Sequence, residues 1–301
     1  MKLIILAALV LSCGHIKPIN KNNKAKEEIK KLKKLENTFA NVPKSITLKP
    51  GKVEYVTFDT NLKNGKYVFN CPARSISFAV KSGKVKVYLI ESYFSSLKKE
   101  VCHFLGKAVF SLNKKEFPYK REKLNVDKRR VFLNKKDLAR VIKERDIKRK
   151  MYEKSQNYYI FDSRFRVPLN SFITSYYGNK RLFNNKKETQ HLGNDLRAAV
   201  GVPIPATNTG QVVYTGNLFY SGNIVVIDHG LEIFSIYGHL SDIKVKEGDI
   251  VQKGNIVGLA GATGRVSGPH LHWGMRVQGQ WVDGFSLVEE SKKQFSRETE
   301  I

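Results

Sequence analysis

Residues 267–274 read SGPHLHWG, with His270 and His272 one residue apart behind a Gly-Pro turn. On a β-strand, side chains at i and i+2 project to the same face. Two polar rings on one face need partners if they are buried. This spacing therefore suits a metal site or a pair of proton-transfer groups. Five of the seven histidines fall in the last half of the chain: His191, His229, His239, His270 and His272. His191 precedes Asp195 by four residues in TQHLGNDLRA, and His239 closes the apolar run IFSIYGHL. Imidazole and carboxylate are ligands that suit Zn²⁺, and a catalytic zinc takes three protein ligands with one position left open. His191, Asp195 and one of His270 and His272 would supply the three. The remaining imidazoles would then be available for proton transfer.

These residues need strands to hold them, and the surrounding pattern is β. The segments 210–216, 223–230, 232–240, 255–261 and 270–277 are short, apolar and separated by glycine-containing turns. No HExxH helix motif occurs, so a thermolysin-like zinc scaffold is not supported. No glycine-rich phosphate loop follows a strand, which leaves nucleotide binding without support. A second β region precedes this one. Segments 53–59, 66–71, 75–81 and 84–91 alternate in polarity around turns at Lys63-Asn64-Gly65 and Ser82-Gly83, as a small antiparallel β domain would. Between the two, Asn134 is placed to cap a helix over KKDLARVIKERDIKRKMYEKS, with Leu138, Val141, Ile142 and Met151 as its apolar positions. The fold class expected is mainly β: a C-terminal antiparallel β domain with a groove, preceded by a small β domain and a connecting α-helix.

The first residues point outside the cytoplasm. Met1 and Lys2 precede the apolar run Leu3–Leu11, and Ser12-Cys13 follows. A charged start, a short apolar run and a small residue make a secretory signal. The run is shorter than the ~20 residues a membrane-spanning helix needs. Val10-Leu11-Ser12-Cys13 resembles a bacterial lipobox, which implies lipidation at Cys13 and a membrane anchor. With Gly14 following, the expected location is the periplasmic side of the outer membrane. Export leaves Cys71 and Cys102 where disulfides persist, and they are expected to pair. The 301-residue chain carries 53 Lys+Arg against 27 Asp+Glu, a net charge of +26. Residues 1–163 hold 38 Lys/Arg and 15 Asp/Glu, whereas 164–288 hold 12 and 8. The basic half suits an anionic partner. For an exported chain that means a cell-envelope polyanion, with no nucleic acid partner. The expected organisation is a signal peptide (1–13), basic tether (14–42), small β domain (43–112), helical connector (113–163), a β domain carrying the histidine cluster (164–288) and C-terminal tail (289–301).

From FRVPLNSFITSYYGNKR onward the sequence resembles the lysostaphin/LytM-type zinc metallopeptidases. The resemblance covers about 165–287, through HLGNDLRAAVGVPIPA, GNIVVIDHG, YGHLS, VKEGDIVQKGNIVGLAGATG and GPHLHWGMRV. It implies an antiparallel β fold with a groove and hydrolysis of peptide crosslinks in peptidoglycan. By position it implies His191, Asp195 and His272 as zinc ligands and His239 and His270 as catalytic histidines. Asp283-Gly284 departs from the family, where a proline often follows the polar residue. Bound zinc would lower the pKa of water towards ~7, and a neutral imidazole would move the proton.

Weaker candidates carry plainer readings. Trp273 reads as core, His229 as structural, and His15 and His103 as incidental. Arg197, Asn194, Tyr176 and Tyr177 could meet substrate or simply support the fold. Gly238 and Gly268 could admit substrate backbone or merely make turns. Two other functions compete. A non-catalytic envelope protein of the same fold could bind peptidoglycan or activate an amidase, but such relatives tend to lack the ligands present here. VKEGDIVQKGNIVGLAG also resembles a lipoyl- or biotinyl-carrier hairpin, without the lysine motif at its tip.

Overall fold

The structure is a computed structural model that describes residues 38–91, 93, 94 and 96–296. Cys13 and the expected signal segment lie outside the described residues, as does most of the expected tether. The described residues from Phe39 to Ser296 form one compact unit. No described helix is long and apolar enough to cross a membrane.

The front half is an eight-stranded sheet. Its strands are β1 (Phe39–Ala40), β2 (Ser45–Leu48), β3 (Val53–Thr60), β4 (Gly65–Cys71), β5 (Arg74–Lys81), β6 (Lys84–Ile90), β7 (Lys99–Phe104) and β8 (Lys107–Lys114). Their order is β1-β3-β6-β5-β4-β7-β8-β2. The period-2 pattern buries Phe58, Phe69, Phe78, Phe104 and Phe110, and the Phe69 and Phe78 rings stack at 4.1 Å. Cys71 on β4 and Cys102 on β7 are joined by a disulfide.

The chain then crosses to the second half. Here β9 (Arg121–Leu124) lies parallel to β11 (Lys180–Phe183), which pairs with β12 (Lys187–Gln190). The expected helical connector thus contributes a strand as well as helix α1 (Lys135–Lys150). Asn134 caps α1 by accepting from the Asp137 N–H at 2.8 Å. Leu138 and Ile142, expected among its apolar positions, are 46% and 50% exposed. The helix is held instead by its C-terminal turns, where Ile147 and Met151 pack on Leu218, Ile224, Phe234 and Ile236. Glu144 is buried beneath it and accepts from the Phe219 N–H at 2.9 Å.

The main sheet runs β10 (Ile173–Ser175), β13 (Asn194–Arg197), β21 (His270–Val277), β17 (Ile233–Leu240), β16 (Gly222–Asp228), β15 (Gly210–Leu218) and β19 (Ile250–Val251), with β22 (Gln280–Val282) also on β21. A three-stranded sheet of β14 (Pro203–Pro205), β20 (Ile256–Leu259) and β18 (Asp242–Ile243) completes it. Helix α2 (Gly284–Ser296) follows. Residues 289–296, expected as tail, are its last turns. A Cβ at Gly284 would meet the buried Trp273 ring at 2.7 Å, so glycine lets the helix start against that indole.

Helix α2 also joins the two halves. The β3 backbone N–H groups of Val53 and Tyr55 donate to Ser286 Oγ and Glu290 Oε2, each at 3.0 Å. Tyr88 Oη donates to Gln294 Oε1. Val53, Tyr55, Tyr88 and Ile90 share one core with Phe165, Leu196, Trp273 and Leu287. The front sheet is therefore packed onto the second half rather than tethered to it.

Candidate metal centre

Strands β13 and β21 are antiparallel neighbours with Asp195 directly opposite His272 and Arg197 opposite His270. The period-2 alternation puts His270 and His272 on the same face as Asp195. His272 Nδ1 lies 2.8 Å from Asp195 Oδ1, and His270 Nε2 lies 3.6 Å from it. His191 enters from the loop after β12, with Nε2 at 3.0 Å from Asp195 Oδ1 and 3.2 Å from His272 Nδ1. The backbone at Gly193 passes tightly under His272. A Cβ there would stand 2.7 Å from both Cε1 and Nε2 of the ring.

His191, Asp195 and His272 could hold a metal ion, their ligand atoms lying within 4.8 Å of one another. The direct test of fit is the size of the triangle. Zinc bonds of about 2.0–2.1 Å in a tetrahedron require ligand atoms about 3.3 Å apart. The observed edges of 2.8, 3.0 and 3.2 Å need only a slight expansion. Protonation also fits. Burial lowers His191 to about 4, against the pull of Asp195, so its ring is neutral at pH 7. Burial opposes ionisation of Asp195, but the polar groups around it outweigh this and hold the carboxyl well below the usual range. The His191 Nδ1–H donates to the Tyr176 carbonyl at 2.9 Å, which leaves the Nε2 lone pair for the centre.

His239 reaches the same place by a break in strand geometry. Asn223 opposes Leu240 and Val225 opposes Tyr237, so Gly238 and His239 together oppose Ile224 in a β-bulge. Strict alternation would send His239 to the face opposite Gly238. Its φ of 62° breaks the alternation, and its ring sits 4.8 Å from that of His270 and 5.8 Å from that of His272. The two rings outside the ligand triplet are oriented alike. His239 Nδ1–H donates to the Thr263 carbonyl at 2.8 Å and His270 Nδ1–H to the Gly268 carbonyl at 2.9 Å. Each therefore presents Nε2. Burial lowers the pKa of both, in His239 well below the usual value, with the neighbouring imidazoles adding to the effect.

Three further residues support the triplet, and sequence reasoning missed them. Arg181 on β11 pairs with Asp195 Oδ2, the oxygen turned away from the imidazoles. Glu122 on β9 accepts from Arg181 Nε at 3.3 Å, Asn179 Nδ2 at 2.6 Å and Ser175 Oγ at 2.8 Å. Ser175 Oγ in turn lies 3.1 Å from His191 Nδ1. These residues come from separate strands and carry no motif spacing, so only the fold assembles them.

The other candidates take structural positions. His229 is fully buried, bonded to the Thr209 carbonyl and to Ser235 Oγ, each at 2.8 Å. Trp273 is core. Asn194 is buried and links the Tyr177 N–H to Asp283 Oδ1. Tyr177 is buried, while Tyr176 is 53% exposed and Arg197 is exposed beside the centre.

Residues 189–284 match the model of peptidase family M23. All five site residues named above lie inside this segment, whereas Glu122, Ser175 and Arg181 lie outside it. Over 126 residues the chain is 41% identical to the peptidoglycan DD-endopeptidase ShyA of Vibrio cholerae, covering 42% of this chain and 28% of that protein. It is 38% identical over 98 residues to the DD-carboxypeptidase/endopeptidase Mpg of Neisseria meningitidis, covering 33% and 23%. The chain thus spans less than a third of the length of these curated relatives. A crystal structure from Pseudomonas aeruginosa, described as a candidate M23 peptidase, has the same fold. It aligns with a TM-score of 0.60 and 22% identity over 80% of this chain and 95% of that one.

Proposed function

We propose that this chain, whose residues 189–284 match peptidase family M23, is a zinc-dependent endopeptidase that hydrolyses peptide crosslinks of peptidoglycan. The observation that carries the reading is the His191–Asp195–His272 triangle, with its near-tetrahedral edges, beside two imidazoles fixed through Nδ1. The name of the Vibrio cholerae relative, a peptidoglycan DD-endopeptidase, supports the substrate class. Zinc, when bound by the triplet, supplies Lewis-acid polarisation of the scissile carbonyl and acidifies a water.

The chain's own residues do the rest. Neutral His239 and His270, each fixed through Nδ1, accept and return a proton at Nε2, first from the attacking water and then to the leaving amine. An imidazolium so formed also stabilises developing negative charge. Arg181 engages Asp195 Oδ2 and leaves Oδ1 for the metal. Glu122, through Ser175 and Arg181, orients both His191 and Asp195. The sequence supports export, with anchoring to the outer membrane through a lipid on Cys13.

Incubation of the chain lacking residues 1–13 with purified peptidoglycan tests the reading. Crosslinked peptide dimers should disappear, persist under a chelator, and disappear again once zinc is returned. Absence of cleavage together with absence of zinc binding would refute it and favour a peptidoglycan-binding or amidase-activating protein.

A further inference from the structure

The face of the main sheet that carries the metal centre continues away from it along β21 and β17. Gly274 and Arg276 share that face with His272, and Ile236 and Phe234 follow Gly238. Helix α1 lies over this continuation, seated by Ile147 and Met151. Between helix and sheet is a cavity of about 620 Å³ that runs from His272 and Ser221 to Arg276. Its volume suits a ligand of a few residues. Helix α1 lies outside the segment 189–284 that matches the family model.

The cavity's charge is one-sided. The cations lining it are Arg145, Lys148, Arg149 and Arg276, and the single acid is Glu153. Glu153 is paired with Arg149 at 2.6 Å. The Arg276 guanidinium lies over the Tyr152 ring at 4.2 Å. Lys148 is half-buried, and its ammonium makes no side-chain hydrogen bond or ion pair among the described residues. Glu144, whose charge acts on Lys148, is engaged with the Phe219 N–H and with Arg140 Nε. Burial lowers the Lys148 ammonium pKa; Glu144 opposes this, and the charges of Arg265 and Arg145 add to it. A cleft lined by one sign of charge concentrates ligands of the other sign.

We propose that this groove receives a carboxylate-bearing arm of the peptide substrate, with Lys148 as the residue that binds the carboxylate and α1 as the cationic wall. The inference rests on the endopeptidase reading, because it extends the same site. Acidic peptide is the occupant that the Lys148 ammonium, held without a direct ion pair, and the peptide-sized cavity select.

The test uses two probes: crosslinked peptide dimers freed of glycan, with their carboxylates intact, and the same dimers with those carboxylates converted to methylamides. The zinc-loaded full chain should favour the acid form in kcat/KM through a lower KM. A charge-assisted hydrogen bond in a partly buried site corresponds to roughly ten- to a hundredfold. Lys148→Gln should collapse that acid-to-amide ratio towards one, and Lys148→Arg should restore much of it. An unchanged ratio in Lys148→Gln, or no acid preference in the wild type, would overturn the proposal. Cleavage of neither probe would refute the endopeptidase reading instead. Titration of the labelled dimers by fluorescence anisotropy would then still decide the groove. Weaker binding of the acid form to Lys148→Gln, with the amide form unaffected, supports it, and equal binding of both forms overturns it.

Discussion

Gly193→Ala is a one-carbon change that probes the candidate metal centre without replacing any of its side chains. The added Cβ would stand 2.7 Å from Cε1 and Nε2 of His272 and 2.8 Å from the Trp273 carbonyl oxygen, whereas ordinary contact begins at 3.4 Å. Relief requires a shift of about 0.7 Å, and the carbonyl belongs to a buried central strand that resists movement. The His272 ring must therefore give way. Its Nδ1 is one corner of a triangle whose edges are 2.8 to 3.2 Å, so the displacement is a fifth to a quarter of an edge. Overpacking of this kind costs about 1–3 kcal/mol. A misplacement of about 1 Å near the chemistry costs on the order of a hundredfold in rate. Gly193→Ala should thus weaken zinc binding at least tenfold in competition with a chromophoric chelator. It should reduce peptide hydrolysis by about a hundredfold while the circular dichroism spectrum stays native. Wild-type zinc affinity and activity in this variant would refute the claim that close backbone approach sets the position of His272.

Other consequences follow from residues around the centre. Glu122→Gln, at the hub joining Ser175, Asn179 and Arg181, should raise the zinc dissociation constant by about ten- to a hundredfold. Equilibrium dialysis against a metal buffer measures this. Buried His229 has its pKa lowered to about 4, so the unfolded chain binds the extra proton between about pH 6.5 and 4. Stability should fall as pH falls through that window, by about 3 kcal/mol from this residue, and His229→Asn should flatten that part of a urea-midpoint profile. Replacing Cys71 and Cys102 by serine removes a link across 31 residues and should cost about 3–4 kcal/mol, read from denaturant melts. Peptide hydrolysis by that variant at 25 °C should match the wild type, since the bond lies in the front sheet.

The parts legible in the sequence were those written in local periodicity. The segments 53–59, 66–71, 75–81 and 84–91 correspond to β3 to β6, although β3 and β6 bury residues on both faces where the second half covers them. The spacing of His270 and His272 specified a shared face because strand side chains alternate. His191 and Asp195 stood out because chemistry-bearing residue types are few. What was hidden depends on long-range packing. Leu138 and Ile142 suggested an apolar stripe, yet α1 is anchored by buried Glu144 and its last turns. Helix α2 starts at a glycine and carries a charged outer face, so 289–296 read as tail until β3 is seen covering it. The bulge that turns His239 toward His270 is a matter of register between β16 and β17, which neither strand reveals alone. Glu122 lies 59 residues from Arg181, and only the parallel pairing of β9 with β11 brings them together.

The most direct test of the account compares His270→Ala with His272→Ala, measuring zinc per chain and hydrolysis of crosslinked peptide in the same preparations. The ligand triangle predicts that His272→Ala loses the metal and the activity together. The Nε2 role of His270 predicts that His270→Ala keeps most of its zinc and loses hydrolysis by at least a hundredfold. Equal zinc loss in the two variants, or an active His270→Ala, would contradict the division of labour between the paired imidazoles.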